Sequence, residues 1–345
     1  MLRSRDSVYV IRAVCVSVGL VAGLAALSVA TARGEPVAAY MYSQNGVDGI
    51  PTLASIKPAD VGTVFLKAAD IAENGAILPK LDGNGRFYPN AWTGTPRPAF
   101  AAMINAPPTF DWAGRDPAAD LTAALTANNW QQDYDAGITV DAEFSGAVDS
   151  FPANWQSTMT SLRTLANGQG QDFSLYVNPK YLSASRYPAT AAANAASLAA
   201  ILGTPPAGVT NSALFPVYIG GGANADQATL DAAATAAAGQ GFAYQWIFDI
   251  TESQSTFIAG LSAADAANTA AAATPAGYVA YSFLDTQPVT PDMTANVNAL
   301  VEVAVVPEPT LTLPGLVAAG LCLAARRWRA NTGIASTACS PRITS

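Results

Sequence analysis

Ala136-Gly137-Ile138-Thr139-Val140-Asp141-Ala142-Glu143 is a short apolar, β-branched run that ends on two carboxylates. It reads as a buried strand. Side chains two apart in a strand point to the same side, so Asp141 and Glu143 emerge together at its carboxyl end. In a barrel of parallel strands that end belongs to the face where chemistry is done. Neighbouring carboxyl groups resist ionising together, and such a pair can supply a proton donor near neutral pH. Acidic residues at a strand end can equally cap the next helix or face water.

Working outward, short β-rich runs alternate with alanine-rich helical ones. The strands are predicted at Val37–Ser43, Val61–Ala68, Gly137–Glu143, Phe173–Val177, Ala213–Ile219, Phe242–Asp249 and Gly277–Phe283. Helices are predicted at Asp120–Asn129, Trp155–Ala166, Ala191–Leu202, Gln227–Ala238, Ser262–Ala273 and Pro291–Val303. Thr290 is the expected N-cap of the last, with Pro291 at its first position. The region from Glu73 to Arg115 is rich in Gly, Pro and Asn and has poor periodicity; one strand is expected there, around Phe100–Ile104, among long loops. Strand–helix alternation of this kind predicts an α/β fold, a (β/α) TIM-type barrel of seven or eight parallel strands. A doubly wound open sheet is the alternative, although no glycine-rich phosphate turn follows the first strand. Gly220-Gly221-Gly222 is read as a flexible turn that could also approach a ligand closely.

The ends differ from the middle. Arg3, Arg5 and Arg12 flank and precede an apolar run, and Ala30-Thr31-Ala32 offers a small-x-small cleavage site, so residues 1–32 read as a secretory signal peptide. Residues 35–305 form the expected domain. Val306-Pro307-Glu308-Pro309 then leads into an apolar stretch from Leu311 to Ala325 and on to Arg326-Arg327-Trp328-Arg329. Over residues 306–330 this order resembles the PEP-CTERM sorting tail of Gram-negative bacteria. Residues 331–345 extend past it. The resemblance implies signal peptidase and an exosortase as partners during export, transient inner-membrane anchoring, and a final place outside the cell or at its outer surface.

Composition removes several chemistries. There is no histidine, and Cys15, Cys322 and Cys339 all lie outside residues 35–305. Ser-His-Asp and Cys-His mechanisms, disulfides and imidazole metal sites are therefore excluded from the domain. A net charge of −8 argues against nucleic acid as a partner. The acids show no metal-ligand spacing, and neither a metal nor a cofactor is expected.

Several strand ends carry aromatic or acidic residues: Tyr176 and Tyr181, Tyr218, Trp246 with Asp249, and Tyr281 with Phe283 and Asp285. Aromatic platforms around an acidic pair suit a sugar cleft, because pyranose faces stack on flat apolar rings. The order of segments resembles the hyaluronidase family of glycoside hydrolases, and more distantly the chitinase family. Asp141-Ala142-Glu143 stands where the hyaluronidase pattern has Asp-Trp-Glu, and Asn154-Trp155 follows as its Asn-Trp pair. The run from Tyr176 to Tyr181 imitates that family's next strand, Ala213-Leu214-Phe215-Pro216-Val217-Tyr218 its Ala-Leu-Tyr-Pro strand, and Gly277 to Tyr281 its last. Against the chitinase strand, Ala136 and Thr139 replace the first two acids.

The resemblance implies a TIM barrel and retaining hydrolysis assisted by the substrate's own N-acetyl group. Glu143 would be acid and base, and Asp141 would orient the acetamido group. Tyr176, Tyr181, Tyr218, Trp246 and Tyr281 would bind the sugar. Three functions follow from the sequence: this N-acetylhexosamine glycosidase, a conventional glycosidase with Asp249 or Glu252 as nucleophile, and a non-catalytic polysaccharide-binding surface protein on the same scaffold.

Overall fold

The computed structural model describes residues 37–41, 61–92, 95, 97–143, 149–218, 225–282 and 289–305. Within them the strands are β1 Val37–Met41, β2 Val61–Ile71, β3 Ile77–Pro79, β4 Ala99–Ala106, β5 Gly137–Ala142, β6 Asp172–Tyr176, β7 Asn211–Pro216, β8 Ala243–Asp249 and β9 Gly277–Ser282. The helices are α1 Ala118–Ala127, the short α2 Trp130–Asp133, α3 Ala153–Asn167, α4 Ala191–Leu202, α5 Gln227–Gln240, α6 Gln254–Ala271 and α7 Pro291–Val305. The predicted leader, the sorting tail, Gly220-Gly221-Gly222, Phe283 and Asp285 lie outside the described residues.

The fold is mixed α/β with a curled, mostly parallel sheet. Parallel pairing runs β2-β4-β5-β6-β7-β8-β9, and β1 pairs in parallel with both β9 and β2, so the sheet bends back on itself. Period-two alternation sorts each strand between two cores. Ile138, Val140 and Ala142 of β5, with Phe215, Trp246 and Phe248, pack outward beneath the helices. Phe65, Met103, Leu214, Ile247 and Val279 point the other way into a smaller inner cluster. Each such side chain contributes about 1.5–3 kcal/mol on burial, enough to lock the register, since a one-residue slip would exchange the two faces.

Gly137 opens β5 at φ +138°, and a Cβ there would collide with the backbone carbonyl of Asp172. Only glycine lets β5 lie this close to β6. Above β5, helix α3 buries Trp155, Met159, Leu162 and Ala166, one stripe at helical spacing. Thr290 caps α7 as expected, its hydroxyl accepting from the Met293 N–H at 3.2 Å.

Two expectations need revision. Helix α6 begins at Gln254, not Ser262: the Ser253 side chain accepts from the Thr256 N–H, and Phe257 and Leu261 extend the buried stripe upstream of the alanine run. Between Glu73 and Arg115 the expected strand is present as β4. A second, β3, pairs antiparallel with the end of β2 through Asp70 and Leu78, and was not anticipated.

Candidate active site

Strand β5 delivers the acids as its alternation requires. Asp141 is half-buried and Glu143, just past the strand, is exposed. Between them the Ala142 carbonyl accepts from the Trp155 indole N–H at 3.3 Å. The first turn of α3 is thereby tied to the peptide that separates the two carboxylates. Next door on β6, Tyr176 lies two residues beyond Ser174, which registers with Thr139. It therefore shares the inner face with Asp141. It lies beside Glu143, and the two line the same pocket. Burial pushes this phenol far above its ordinary value, and the Glu143 and Asp141 charges add to the effect.

Across the mouth Tyr218 and Tyr281 stack with ring centroids 5.4 Å apart and planes 6° from parallel. Tyr218 is also held far above the usual phenol range, first by burial and then by Tyr176, Tyr281, Asp141 and Asp249 around it. The hydroxyls of Tyr176 and Tyr218 stay protonated at any physiological pH and serve as donors.

Glu143 borders a pocket of about 380 Å³, counting its open side, lined by Ala142, Trp155, Tyr176, Val177, Asn178, Lys180 and Tyr181. The turn that forms its wall is fixed locally: the Asn178 side chain accepts from the Lys180 N–H at 3.1 Å. Asn194 of α4 anchors it from behind, donating to the Tyr181 carbonyl at 3.0 Å and the Asp149 carbonyl at 2.8 Å. Tyr181 itself is buried, stacked on Tyr187 at 5.4 Å, with the Lys180 ammonium 5.0 Å from its ring centre. Burial, Tyr187 and Glu143 push its hydroxyl up to about 12.

The sequence-predicted set divides. Asp141, Glu143, Tyr176, Tyr218 and Tyr281 share one mouth, and Tyr181 borders the pocket at its edge. Trp246 does not join them. It is buried in the outer core, and its indole N–H donates to Asn268 of α6 at 2.9 Å. Counting by two from Asp249 gives Ile247 and Gln245 as the inward residues of β8, and Trp246 falls on the opposite face. Sequence reasoning did not single out Asn178, Lys180 or Tyr187, although the first two lie inside the Tyr176–Tyr181 run. Asp249 lies at the same mouth, its Oδ1 accepting from the Thr251 N–H and hydroxyl at 2.8 and 2.6 Å. Glu252 is buried, and burial together with Asp249 raises its carboxyl above the ordinary range. Among the described residues, no group of three or more His, Cys, Asp or Glu side chains is placed to hold a metal ion.

No protein-family model matches the sequence, and no curated protein matches it. Among solved structures, the GH18 chitinase ChiB of Flavobacterium johnsoniae aligns with a TM-score of 0.47 at 9% identity, over 78% of this chain and 96% of that one. A GH18 chitinase from Pseudoalteromonas aurantia aligns at 0.49 and 11% identity, over 77% and 99%. A methylaspartate ammonia lyase variant from Clostridium tetanomorphum aligns at 0.39 and 12% identity, over 78% and 59%. At these scores the likenesses identify no family, and the functional reading rests on the residues themselves.

Proposed function

We propose that the protein is a glycoside hydrolase of N-acetylhexosamine-containing polysaccharide, built on a closed barrel of eight parallel strands with the site at its carboxyl mouth. The observation that carries this reading is the placement of Glu143 and Tyr176 together on an aromatic-walled pocket, beside Asp141. Glu143 protonates the glycosidic oxygen as the bond to the anomeric carbon breaks. The substrate's acetamido oxygen attacks that carbon, and Asp141 accepts the hydrogen bond of the acetamido N–H as it gains positive charge. Water then opens the cyclic intermediate, giving its proton to Glu143, so configuration is retained. Substrate-assisted families of this kind depart from the ordinary two-carboxylate scheme. The protonated hydroxyls of Tyr176 and Tyr218 are available to orient the acetamido group. The Tyr218–Tyr281 stack supplies a flat apolar wall.

A conventional mechanism with Asp249 as nucleophile is the second reading, favoured by one fact: Asp249 and Asp141 both act on Tyr218. The reading further takes residues 1–32 and 306–330 as export and sorting signals, with signal peptidase and an exosortase as processing partners and the cell surface as destination. The mass of the mature protein from a PEP-CTERM-sorting host tests that part.

For the chemistry, the test is reducing-end release from chitin oligomers, hyaluronan and chondroitin by the protein and its Glu143→Gln variant. Release by the wild type, lost in the variant, supports the glycosidase. Sugar binding by both without release by either points to a polysaccharide-binding surface protein instead.

A further inference from the structure

Glu143 and Tyr176 belong to two spaces at once. On one side is the inner face of the sheet, where Tyr176 stands within electrostatic reach of Asp141 and Tyr281, and Tyr218 of all three. On the other side lies the pocket, whose walls include Trp155, Asn178, Lys180 and Tyr181 but none of Asp141, Tyr218 and Tyr281. Glu143 acts on that side too, where its charge is felt by Tyr181. The exposed carboxylate therefore stands on a boundary, with one half-site over the sheet and another toward helices α3 and α4.

The second half-site has a fixed wall. The chain leaves β6 at Tyr176 and passes through the single helical turn Pro179–Leu182, which buries Pro179, Tyr181 and Leu182. Tyr181 meets Phe151 edge-on at 5.9 Å as well as stacking on Tyr187. Lys180 is kept out of this packing and is half-buried at the pocket wall. Its ammonium lies 5.0 Å from the Tyr181 ring centre, a contact that steadies the head while its three N–H donors stay available. Asn178 spends its side-chain oxygen on the Lys180 N–H and retains its amide donors. Among the described residues no carboxylate pairs with the Lys180 ammonium, and no acceptor takes the Asn178 amide. A few fixed polar groups on an otherwise aromatic wall are what orient a ligand in a cleft.

We propose that this pocket is the leaving-group subsite, and that Lys180 and Asn178 are its specificity-determining residues, donating to the hydroxyl oxygens of the departing sugar. The inference rests on the glycosidase reading given above. In that reading the attacked sugar turns its acetamido group to Asp141, so the glycosidic oxygen lies at Glu143 and the next sugar continues into the pocket. The proton that Glu143 gives up goes to the oxygen of the sugar held there. The preferred substrate is thus a chain with a sugar on each side of the broken bond, not a single N-acetylhexosamine on any alcohol.

The test uses the full chain and two substrates that share the same two sugars on the Asp141 side. One is a tetramer of whichever polymer is cleaved (chitin, hyaluronan or chondroitin), and the other is the 4-nitrophenyl glycoside of its N-acetylated dimer, which offers the pocket a flat phenol. In Lys180→Met, kcat/KM on the tetramer falls roughly 10- to 100-fold, the worth of a charged hydrogen bond, chiefly through KM. The ratio of the tetramer value to the nitrophenyl value falls with it. Lys180→Arg keeps a cation and restores the ratio. Asn178→Ser keeps an oxygen for the Lys180 N–H, loses the amide donors and moves the ratio the same way by less. Equal losses on both substrates, or no loss on either, overturn the subsite and leave the glycosidase reading standing. If the wild type cleaves none of the three polymers, calorimetric titration with their tetramers decides. Binding weakened in Lys180→Met then supports the pocket as a sugar site and overturns the glycosidase reading, whereas unchanged or absent binding overturns both.

Discussion

Strands β5 and β8 both end by sending carboxylates toward the same mouth, yet the two ends are finished differently. At β8 the Asp249 carboxylate is spent locally, accepting two hydrogen bonds from Thr251, and Glu252 is buried beside it at the start of α6. At β5 Glu143 is left exposed beside an open pocket that it lines together with Tyr176. A carboxylate at a strand end is thus not by itself a site. What separates the two is where the carboxylates face: into the chain's own turn at β8, toward an open pocket at β5.

The largest effect that could break this contrast is the loss of Glu143. Positioned acid–base catalysis is worth roughly 10²–10⁴-fold, and Glu143→Gln is expected to lose that much kcat in the reducing-end assay with sugar affinity kept. Tyr176→Phe removes the phenol beside Glu143 and should cost kcat about 10- to 100-fold, the worth of a charged hydrogen bond made to the reacting sugar, about 1.5–3 kcal/mol. Asp249→Asn keeps an acceptor for Thr251 and removes only the charge, so kcat should drop by less than about tenfold. A loss at Asp249 equal to that at Glu143 would reverse the comparison in favour of the conventional mechanism. Trp155→Phe removes the donor to the Ala142 carbonyl, and calorimetric unfolding should show about 1–3 kcal/mol of lost stability.

Glu252→Gln is the subtlest. Because burial and Asp249 raise this carboxyl in the folded state, its ionised form opposes folding. The variant should melt higher than wild type at neutral pH. The gain should grow as pH rises through the carboxylate range and disappear below it.

Much of this was legible in the chain. The acidic end of β5 could be read because a strand of Ile138, Thr139 and Val140 has one possible placement, and period two then carries Asp141 and Glu143 to one side. The same rule, applied to β8, separates Trp246 from Asp249; grouping them by nearness to a strand end overlooked that three residues is an odd step. Antiparallel β3 was hidden because Ile77–Pro79 is too short for alternation to register, and it exists only by pairing with the overhang of β2. Lys67 was visible as one charge in an apolar run. That it meets Asp70, three residues on in the same strand, depends on a register shift that sequence spacing does not encode.

The indole of Trp155 has a practical consequence. Among the described residues it is the one tryptophan lining the pocket at Glu143, and it is buried, with its N–H already engaged. Any ligand that enters alters the polarity around a fixed fluorophore, so occupancy becomes visible as a change in emission, with Trp155→Phe as the blank. The protein carries an optical gauge of its own cleft, readable before any product is formed.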